Sequence, residues 1–228
     1  MAETLAMDSD PEIMNKYLQK LGVPDKWRMV DVLSLEEDAL ALVPRPVLAL
    51  ILLFPLSEAY EQYRYEQENE ILSKGQTAPQ DVFHLRQVLS NVCGTIALVH
   101  SVANNTHHID LNDGLLKNYL NDATGLDAAA KGALLENSTA IFEAYRDLVN
   151  AGNAGNAENS DATNNHFVTF IHKDGSLLEL DGRKSVPIDH GSTTPDDFLK
   201  DAAKVCRDFM QREPENIGFN VVALVSVE

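Results

Sequence analysis

Hydrophobic residues recur three or four positions apart in several segments of this chain, and this spacing predicts helices. A capping residue followed by proline marks the start of two of them, at Asp10-Pro11 and Thr194-Pro195. The mostly polar segment 57–72 is expected to form an exposed helix. The predicted helices cover residues 11–21, 34–43, 57–72, 93–104 and 194–212, with two more helical patterns in 111–150 that are broken near Thr124-Gly125.

Strand patterns lie between and after these helices. The run 47–54 is continuously apolar between Pro46 and Pro55, which predicts a strand buried on both faces. Pro187 and Gly191 are expected to end the sheet segment that precedes the last helix. Because helices mostly precede strands, we predict an α+β fold in which helices surround a central, largely antiparallel β-sheet. The other predicted strands cover residues 27–33, 166–172, 176–181 and 220–227.

Asp174 and Gly175 separate two of these strands and are typical of a two-residue hairpin turn. Residues alternate faces along a strand, so the register of such a turn can be extended away from the loop. It puts His166 and Asp181 on one face, as diagonal neighbours within side-chain reach. This geometry requires a loop of two residues.

Residues 151–165 differ sharply in composition from the rest of the chain. Asn, Ala, Gly, Ser and Asp dominate, and nothing in the segment supplies a core. The composition predicts a long mobile loop. Loops of this length inside a domain are usually functional or disordered. From composition alone, an inert linker between two domains is the favoured interpretation.

The composition limits the classes of protein to which the chain can belong. It has 228 residues, 44% of them hydrophobic, and no apolar run reaches the ~20 residues of a membrane span. Two cysteines do not make a disulfide framework, so we expect a reducing intracellular compartment. The formal net charge of −17 argues against nucleic acid as a partner. It favours a basic ligand, although solubility alone explains the charge more simply.

Cys93 stands at the start of a predicted helix, just after the cap candidates Ser90 and Asn91. The partial positive charge of a helix N-terminus stabilises a thiolate, which is the nucleophilic form of cysteine. The side-chain amide of Gln87, one turn upstream, can donate to an oxyanion beside the sulfur, with the Cys93 backbone N–H as second donor. The alternative is that Cys93 is a small core residue, as most free cysteines are.

A nucleophilic thiol needs a base, and the base needs an orienting group. His166 and Asp181 offer this pair, and together with Cys93 and Gln87 they predict acyl transfer to water through a thioester. Two simpler interpretations stay open: His166 as a solvent-bonded residue at a strand end, and Asp181 as a turn former. Cys206 falls on an apolar helical stripe and is expected in the core. The His, Cys and carboxylate spacings match no zinc site, so no metal is predicted.

Several motifs resemble the signature of the ubiquitin carboxyl-terminal hydrolases, a family of papain-like cysteine proteases that deubiquitinate. The likeness covers nearly the whole chain and is greatest to the small, single-domain L-type members. Ala97 and Val92 depart from the family's pattern, where smaller residues are usual, but they leave the catalytic set complete. The motifs are Gln87-x5-Cys93-Gly94-Thr95-Ile96, His166-Phe167, Glu179-Leu180-Asp181-Gly182-Arg183-Lys184, Val43-Pro44-Arg45-Pro46-Val47 and Leu53-Phe54-Pro55.

The resemblance implies one catalytic domain over residues 1–228, with a papain-like cysteine protease fold and a knotted backbone. It implies Cys93 as nucleophile, His166 as general base and acid, Asp181 as the group that orients His166, and Gln87 as oxyanion donor. It also implies that residues 148–165 form a crossover loop above the active site, which replaces the linker interpretation. The leaving group must then be small or flexible enough to pass that loop.

The partner that the resemblance implies is ubiquitin, with a close ubiquitin-like modifier as a second candidate. Asp8, Glu12 and Asp31 are the acidic residues that we expect to meet the arginines of the ubiquitin tail. We expect no cofactor, metal, nucleic acid or membrane, a monomer, and a cytoplasmic location with the nucleus as a second one. The alternative functions are a ubiquitin-binding protein whose triad is misaligned or weakly active, and a papain-like hydrolase of an unrelated small amide or ester.

Overall fold

The computed structural model describes residues 5–75, 81–151 and 164–227, which form eight α-helices and six β-strands. The helices are α1 (Pro11–Leu21), α2 (Glu37–Leu40), α3 (Glu58–Ser73), α4 (Cys93–Ala103), α5 (Leu115–Asp122), α6 (Ala128–Asn137), α7 (Thr139–Ala151) and α8 (Phe198–Arg212). The strands are β1 (Trp27–Asp31), β2 (Val47–Pro55), β3 (Asn165–Lys173), β4 (Ser176–Leu180), β5 (Ile188–Ser192) and β6 (Asn220–Ser226).

The six strands form one sheet in the order β1-β6-β2-β3-β4-β5, and every neighbouring pair is antiparallel. Helices cover both faces and build two hydrophobic cores. Ala49 and Ile51 of β2 pack into the core formed with α1, α4, α5, α6 and α7, whereas Leu50 and Leu52 pack into the core formed with α2, α3 and α8. The predicted burial of this strand on both faces and the α+β architecture are confirmed. The knotted path of the backbone stays a prediction.

The hairpin of β3 and β4 has the predicted two-residue turn. Asp174 and Gly175 have φ angles of 50° and 83°, the left-handed conformations that a type I′ turn requires at both positions. Lys173 pairs with Ser176 across the loop, and the antiparallel pairing continues from there without a shift. The turn therefore sets the register of the strands that lead to the candidate site.

Strand β5 is absent from the sequence prediction. The expectation that Pro187 and Gly191 end the sheet is wrong, because residues 188–192 pair with β4 at the sheet edge. Only Ile188 of this strand is buried, and Gly191 has a φ of 101°. An edge strand with one buried residue carries almost no hydrophobic pattern, which explains why the sequence did not indicate it.

The stretch 111–150 contains three helices rather than the predicted two. Helices α6 and α7 meet at Ser138, whose Oγ donates to the Leu134 carbonyl at 2.8 Å and whose carbonyl accepts from the Ile141 N–H at 2.9 Å. The apolar stripe continues from Leu135 to Ile141 across this break, so hydrophobic spacing alone does not show it.

Two helices begin later than predicted, three residues after the predicted cap in α2 and four residues after it in α8. Helix α2 starts at Glu37 and α8 at Phe198. Ser34 Oγ accepts from the Glu36 N–H at 3.1 Å, and Thr194 Oγ1 accepts from the Asp197 N–H at 3.2 Å. The capping side chains therefore form the expected local contacts, but they stabilise a turn that precedes the helix.

Candidate active site

Cys93 is the first residue of α4, as predicted, and it is half-buried. The predicted caps are wrong: the N-cap is Val92, which makes no side-chain capping bond, and Asn91 has a left-handed φ of 63°. The N-cap residue Val92 has no polar side chain and so offers no side-chain cap of its own to the first backbone N–H groups of α4. These groups carry the positive end of the helix dipole and favour an anion beside the thiol.

Packing of α4 on the sheet brings the thiol to the start of β3. Thr169 Oγ1 of β3 donates to the Ala97 carbonyl of α4 at 2.9 Å. Cys93 Sγ lies 3.9 Å from the Asn165 carbonyl oxygen, at the loose limit for a thiol donor. Because Asn165 precedes His166, this packing brings the predicted nucleophile to the predicted base.

His166 and Asp181 meet as predicted. His166 Nε2 lies 2.7 Å from Asp181 Oδ1, and the two residues are 2% and 1% exposed. The interpretation of His166 as a solvent-bonded residue is therefore wrong. Asp181 Oδ1 also accepts from the Arg183 N–H at 2.8 Å, so Asp181 forms a local turn and binds the imidazole at once.

The electrostatics of this pair favour a charged imidazolium. Burial alone lowers the pKa of His166, but the charge and hydrogen bond of Asp181, together with the Cys93 thiol, outweigh burial and raise that pKa to about 9. Burial raises the pKa of Asp181, but His166, Lys184 and the Arg183 N–H hold it well below its usual range. Because Asp181 occupies Nε2, the other ring nitrogen, Nδ1, is the one left for the thiol.

Gln87 lies against Gly182, the residue after Asp181, and its amide is engaged locally. Gln87 Nε2 donates to the Leu89 carbonyl at 2.8 Å, and its backbone N–H donates to the Gly182 carbonyl at 2.7 Å. A Cβ atom at Gly182 would lie 3.1 Å from the Gln87 Cβ and 3.3 Å from Ile96 Cγ2, so glycine permits the close approach of three segments. The predicted oxyanion role of Gln87 stays a prediction.

Two residues that the sequence did not indicate hold Asp181. Tyr60 Oη donates to Asp181 Oδ2 at 3.1 Å, and His84 Nε2 lies 3.0 Å from the Asp181 carbonyl oxygen. Lys184 is 2% exposed and pairs with the buried carboxylate of Glu179. Glu179 and Lys184 both stand in the sequence motif 179–184, and strand alternation puts positions 179 and 181 on one face.

The predicted ubiquitin-binding residues are all exposed. Asp8 precedes α1 and Glu12 lies in its first turn, where it pairs with Lys16 at 2.6 Å. Asp31 ends β1. Of the predicted crossover loop, residues 148–151 belong to the end of α7, and residues 152–163 lie outside the described residues. Residue 164 precedes β3, and Asn165 is the first residue of that strand.

Cys206 lies in the core, as predicted, with none of its surface exposed. In the described part of the chain, no three His, Cys, Asp or Glu side chains come together in a way that could hold a metal ion. None of the described helices has both the length and the apolar character that crossing a membrane requires.

A helix-terminal thiol, a buried imidazole and a carboxylate that orients it define the class of papain-like cysteine hydrolases. A family model described as "Ubiquitin carboxyl-terminal hydrolase, family 1" matches residues 5–211. The chain is 44% identical over 222 residues to a ubiquitin carboxyl-terminal hydrolase of Drosophila melanogaster, covering 97% of each protein. It is 43% identical over 219 residues to the isozyme L1 of Homo sapiens, covering 96% of each.

A solved structure shares the fold. The catalytic domain of Trichinella spiralis UCH37 bound to ubiquitin vinyl methyl ester is similar with a TM-score of 0.77 and 23% sequence identity, over 99% of this chain and 97% of that one. The chain belongs to the ubiquitin carboxyl-terminal hydrolase family 1. The family resemblance of the sequence motifs is thereby confirmed.

Proposed function

We propose that the protein is a deubiquitinating thiol protease that cleaves small or flexible adducts from the C-terminal glycine of ubiquitin. The observation that carries the proposal is the buried contact of 2.7 Å between His166 and Asp181, beside a thiol at the start of α4. Membership of the family, whose matched relatives are ubiquitin carboxyl-terminal hydrolases, supports this substrate class.

The proposed reaction starts from an ion pair in which the proton of the Cys93 thiol already resides on His166 Nδ1, as the raised pKa of this histidine favours. The thiolate sulfur attacks the carbonyl carbon of the terminal glycine, and the carbonyl electron pair moves to oxygen. The backbone N–H of Cys93 and the amide of Gln87 donate to this oxyanion. His166 then returns its proton to the leaving amine or alcohol as the C–N or C–O bond breaks, which leaves a thioester on Cys93.

Hydrolysis of the thioester repeats these roles with water. His166, neutral after giving its proton to the leaving group, accepts a proton from the attacking water. The C–S bond then breaks from the second tetrahedral intermediate, which restores the pair of thiolate and imidazolium. Asp181 does not take the proton in this scheme. It keeps the imidazole in one tautomer and orientation and stabilises its charged form.

Acidic residues near α1 and β1 are the proposed contact surface for the ubiquitin tail. Asp8, Glu12 and Asp31 have exposed side chains, as electrostatic contact with arginines requires. The net charge of −17 favours the approach of a basic segment. A close ubiquitin-like modifier is the second proposed substrate, and residues 148–165 are the proposed crossover loop that limits the adduct.

The remaining proposals concern the state of the protein in the cell. We propose a monomer that acts as one catalytic domain over residues 1–228. The cytoplasm is the proposed location, with the nucleus as a second one. Two free cysteines support a reducing compartment, because a thiol nucleophile must remain reduced to act.

Release of a fluorophore from the C-terminal amide of ubiquitin tests the proposed function. We expect the wild type to release the fluorophore, Cys93→Ala to release none, and Cys206→Ala to behave as the wild type. Cys93→Ala should still bind ubiquitin in a titration, because the contact surface is intact. Ubiquitin binding by the wild type without turnover would favour the binding-protein alternative, and turnover by Cys93→Ala would refute the assignment of the nucleophile.

A further inference from the structure

One face of α3 binds the segment that follows Asp181. The sequence predicts α3 as an exposed helix, because most of its residues are polar. The structure instead buries Tyr60 and Ile71 and turns a stripe of polar side chains toward another polar segment. Residues three, four and seven positions apart share a helix face. The stripe consists of Tyr60, Glu61, Arg64, Gln67 and Glu68.

The contacts of this α3 stripe follow the chain from Asp181 onward. Glu61 forms an ion pair with the Arg183 side chain, and Arg64 Nη1 lies 3.5 Å from the Arg183 carbonyl oxygen. Gln67 Oε1 accepts from Lys184 Nζ at 2.7 Å.

The next residue of α3 is Glu68, whose Oε1 accepts from the Ser185 N–H at 2.9 Å. The four members of the stripe other than Tyr60 thus bind three consecutive residues, 183–185, of the segment that follows β4.

Tyr60 is the member of the stripe that contacts Asp181 itself. Its hydroxyl donates to Oδ2 at 3.1 Å, whereas Oδ1 accepts from His166 and from the Arg183 N–H. Among the described residues, Tyr60 is the only donor to Oδ2. Burial and the charge of Asp181 raise the pKa of Tyr60 well above its usual value, so the hydroxyl keeps its proton and acts as a donor.

Aromatic packing fixes the Tyr60 ring independently of its hydroxyl. The ring stands at 66° to Phe54 with centroids 4.6 Å apart, and it lies 6.1 Å from Phe209. Phe54 also stands edge-on to His166, at 5.7 Å and 85°. Loss of the hydroxyl alone should therefore leave the ring, Phe54 and His166 where they are.

We infer that Tyr60 is a positioning residue for the hydrolysis, because its hydroxyl fixes the rotation of the Asp181 carboxylate and so keeps Oδ1 on His166 Nε2. A carboxylate held at one oxygen can turn about its Cβ–Cγ bond, whereas one held at both oxygens cannot. In a buried site, an oxygen without a donor also costs free energy, so the carboxylate without Tyr60 would move to find one. This inference rests on the proposed function, since it concerns the same reaction.

Tyr60→Phe tests the inference, with Tyr119→Phe as the matched control. Both tyrosines are 3% exposed, and Tyr119 donates its hydroxyl to the Lys131 carbonyl at 2.9 Å, away from Asp181. We expect Tyr60→Phe to lower kcat for the ubiquitin fluorophore substrate about tenfold, the rate equivalent of ~1.4 kcal/mol. KM should stay within about twofold, because the hydroxyl does not face the ubiquitin surface. Tyr119→Phe should keep the wild-type kcat.

A proton NMR spectrum gives a second measurement, the chemical shift of the His166 Nε2–H proton, which a general loss of stability does not change. The Nε2–H proton that His166 shares with Asp181 should resonate far downfield in the wild type and in Tyr119→Phe. In Tyr60→Phe it should shift or broaden, because the carboxylate is no longer held at both oxygens.

The outcomes separate this inference from the proposed function. A Tyr60→Phe protein with kcat within about twofold of the wild type overturns the inference alone. Equal losses of kcat in both variants also overturn it, since they reflect the loss of a buried hydroxyl of any kind. If the wild type itself shows no turnover, the proposed function fails, and the NMR signal of the His166 Nε2–H proton then tests the positioning role of Tyr60. An unchanged signal in Tyr60→Phe overturns that role, and a shifted or broadened signal supports it.

Discussion

His166 Nε2 lies 2.7 Å from Asp181 Oδ1, although the two residues are 15 positions apart. The distance follows from the turn between their strands. Asp174 and Gly175 form a loop of two residues, and the regular pairing of β3 with β4 carries that register to the end of the hairpin. A local choice of turn residues thus brings a buried base and a buried carboxylate together.

Asp181→Asn should lower kcat/KM by at least ~100-fold, because an amide neither stabilises the imidazolium nor selects the same tautomer. Steady-state hydrolysis of the ubiquitin fluorophore measures this. Asp208→Asn, an exposed carboxylate on α8, is the control and should retain full activity. A loss of less than tenfold in Asp181→Asn would contradict the role of Asp181.

Stability should decline at alkaline pH as His166 loses its proton. The pKa of His166 is about 9 in the folded protein, above its ordinary value of 6.5. Its stabilising contribution is therefore complete below pH 6.5 and is lost as the pH rises through about 9. Urea unfolding between pH 6.5 and 9.5 should show this decline in the wild type and a weaker one in His166→Gln. Parallel curves for the two proteins would argue against it.

The opposite dependence is expected at acid pH from two buried histidines. His84 and His100 stack with ring centroids 5.4 Å apart, and His100 Nε2 accepts from the Leu85 N–H at 3.1 Å, which requires a neutral ring. Burial lowers the pKa of both. The unfolded chain thus binds more protons below pH 6.5, and stability falls as the pH drops.

His84→Phe tests this acid dependence because it removes one titrating group and keeps a ring in the stack. The slope of unfolding free energy against pH between 5 and 6 should fall by up to about 1.4 kcal/mol per pH unit. His108→Gln, an exposed histidine, should leave the slope unchanged. Identical slopes for His84→Phe and the wild type would show that His84 does not titrate as proposed.

The buried ion pair of Lys184 and Glu179 should be far more important to stability than a surface pair. Burial raises the pKa of Glu179, but Lys184 and His190 outweigh it and lower that pKa to about 2. Lys184→Met leaves a buried carboxylate poorly compensated and should cost about 3–5 kcal/mol. The double variant Lys184→Met/Glu179→Leu should recover much of this loss.

Urea unfolding measures these variants, and Lys16→Met, which removes an exposed partner of Glu12, is the control without measurable effect. Equal stabilities for the single and double variants would show that the loss does not come from the unpaired charge.

The two cysteines should differ in reactivity. Cys93 is half-buried at a helix N-terminus, whereas burial and the charge of Glu179 raise the pKa of the Cys206 thiol. Iodoacetamide at pH 7.5 should add one group to the folded protein, on Cys93, as mass spectrometry of peptides can show. Cys206→Ala should still take up one group and Cys93→Ala none. Modification of Cys206 before unfolding would contradict the buried position.

Rules about neighbouring residues, such as turn and helix-start patterns, correctly predicted where the catalytic side chains stand on their strands and helix. The turn at Asp174-Gly175 and the change to an apolar pattern at Cys93 sufficed to place the base, the carboxylate and the thiol. The cap candidates Ser90 and Asn91 failed because the N-cap of α4 is Val92, which has no polar side chain. Capping preferences describe helix ends whose backbone N–H groups are bonded by a side chain. A helix N-terminus that binds an anion uses those N–H groups for the anion instead.

The contacts that hold Asp181 in place could not be predicted from local rules. Tyr60 and Asp181 are 121 positions apart, and the pattern of α3 indicated only a polar helix. Hydrophobic spacing reports which side chains avoid water, so it does not distinguish a polar stripe that faces solvent from one that faces a polar partner. The same limit hid the ion pair of Lys184 with Glu179.

Trapping the thiol with an electrophile at the ubiquitin C-terminus shows directly whether Cys93 is the nucleophile. Incubation with ubiquitin vinyl methyl ester should give a single covalent adduct of one ubiquitin per chain, and peptide mapping should place it on Cys93. The adduct should form in Cys206→Ala and be absent from Cys93→Ala. No adduct with the folded wild type, or an adduct at a residue other than Cys93, would contradict the claim that this thiol attacks the C-terminus of ubiquitin.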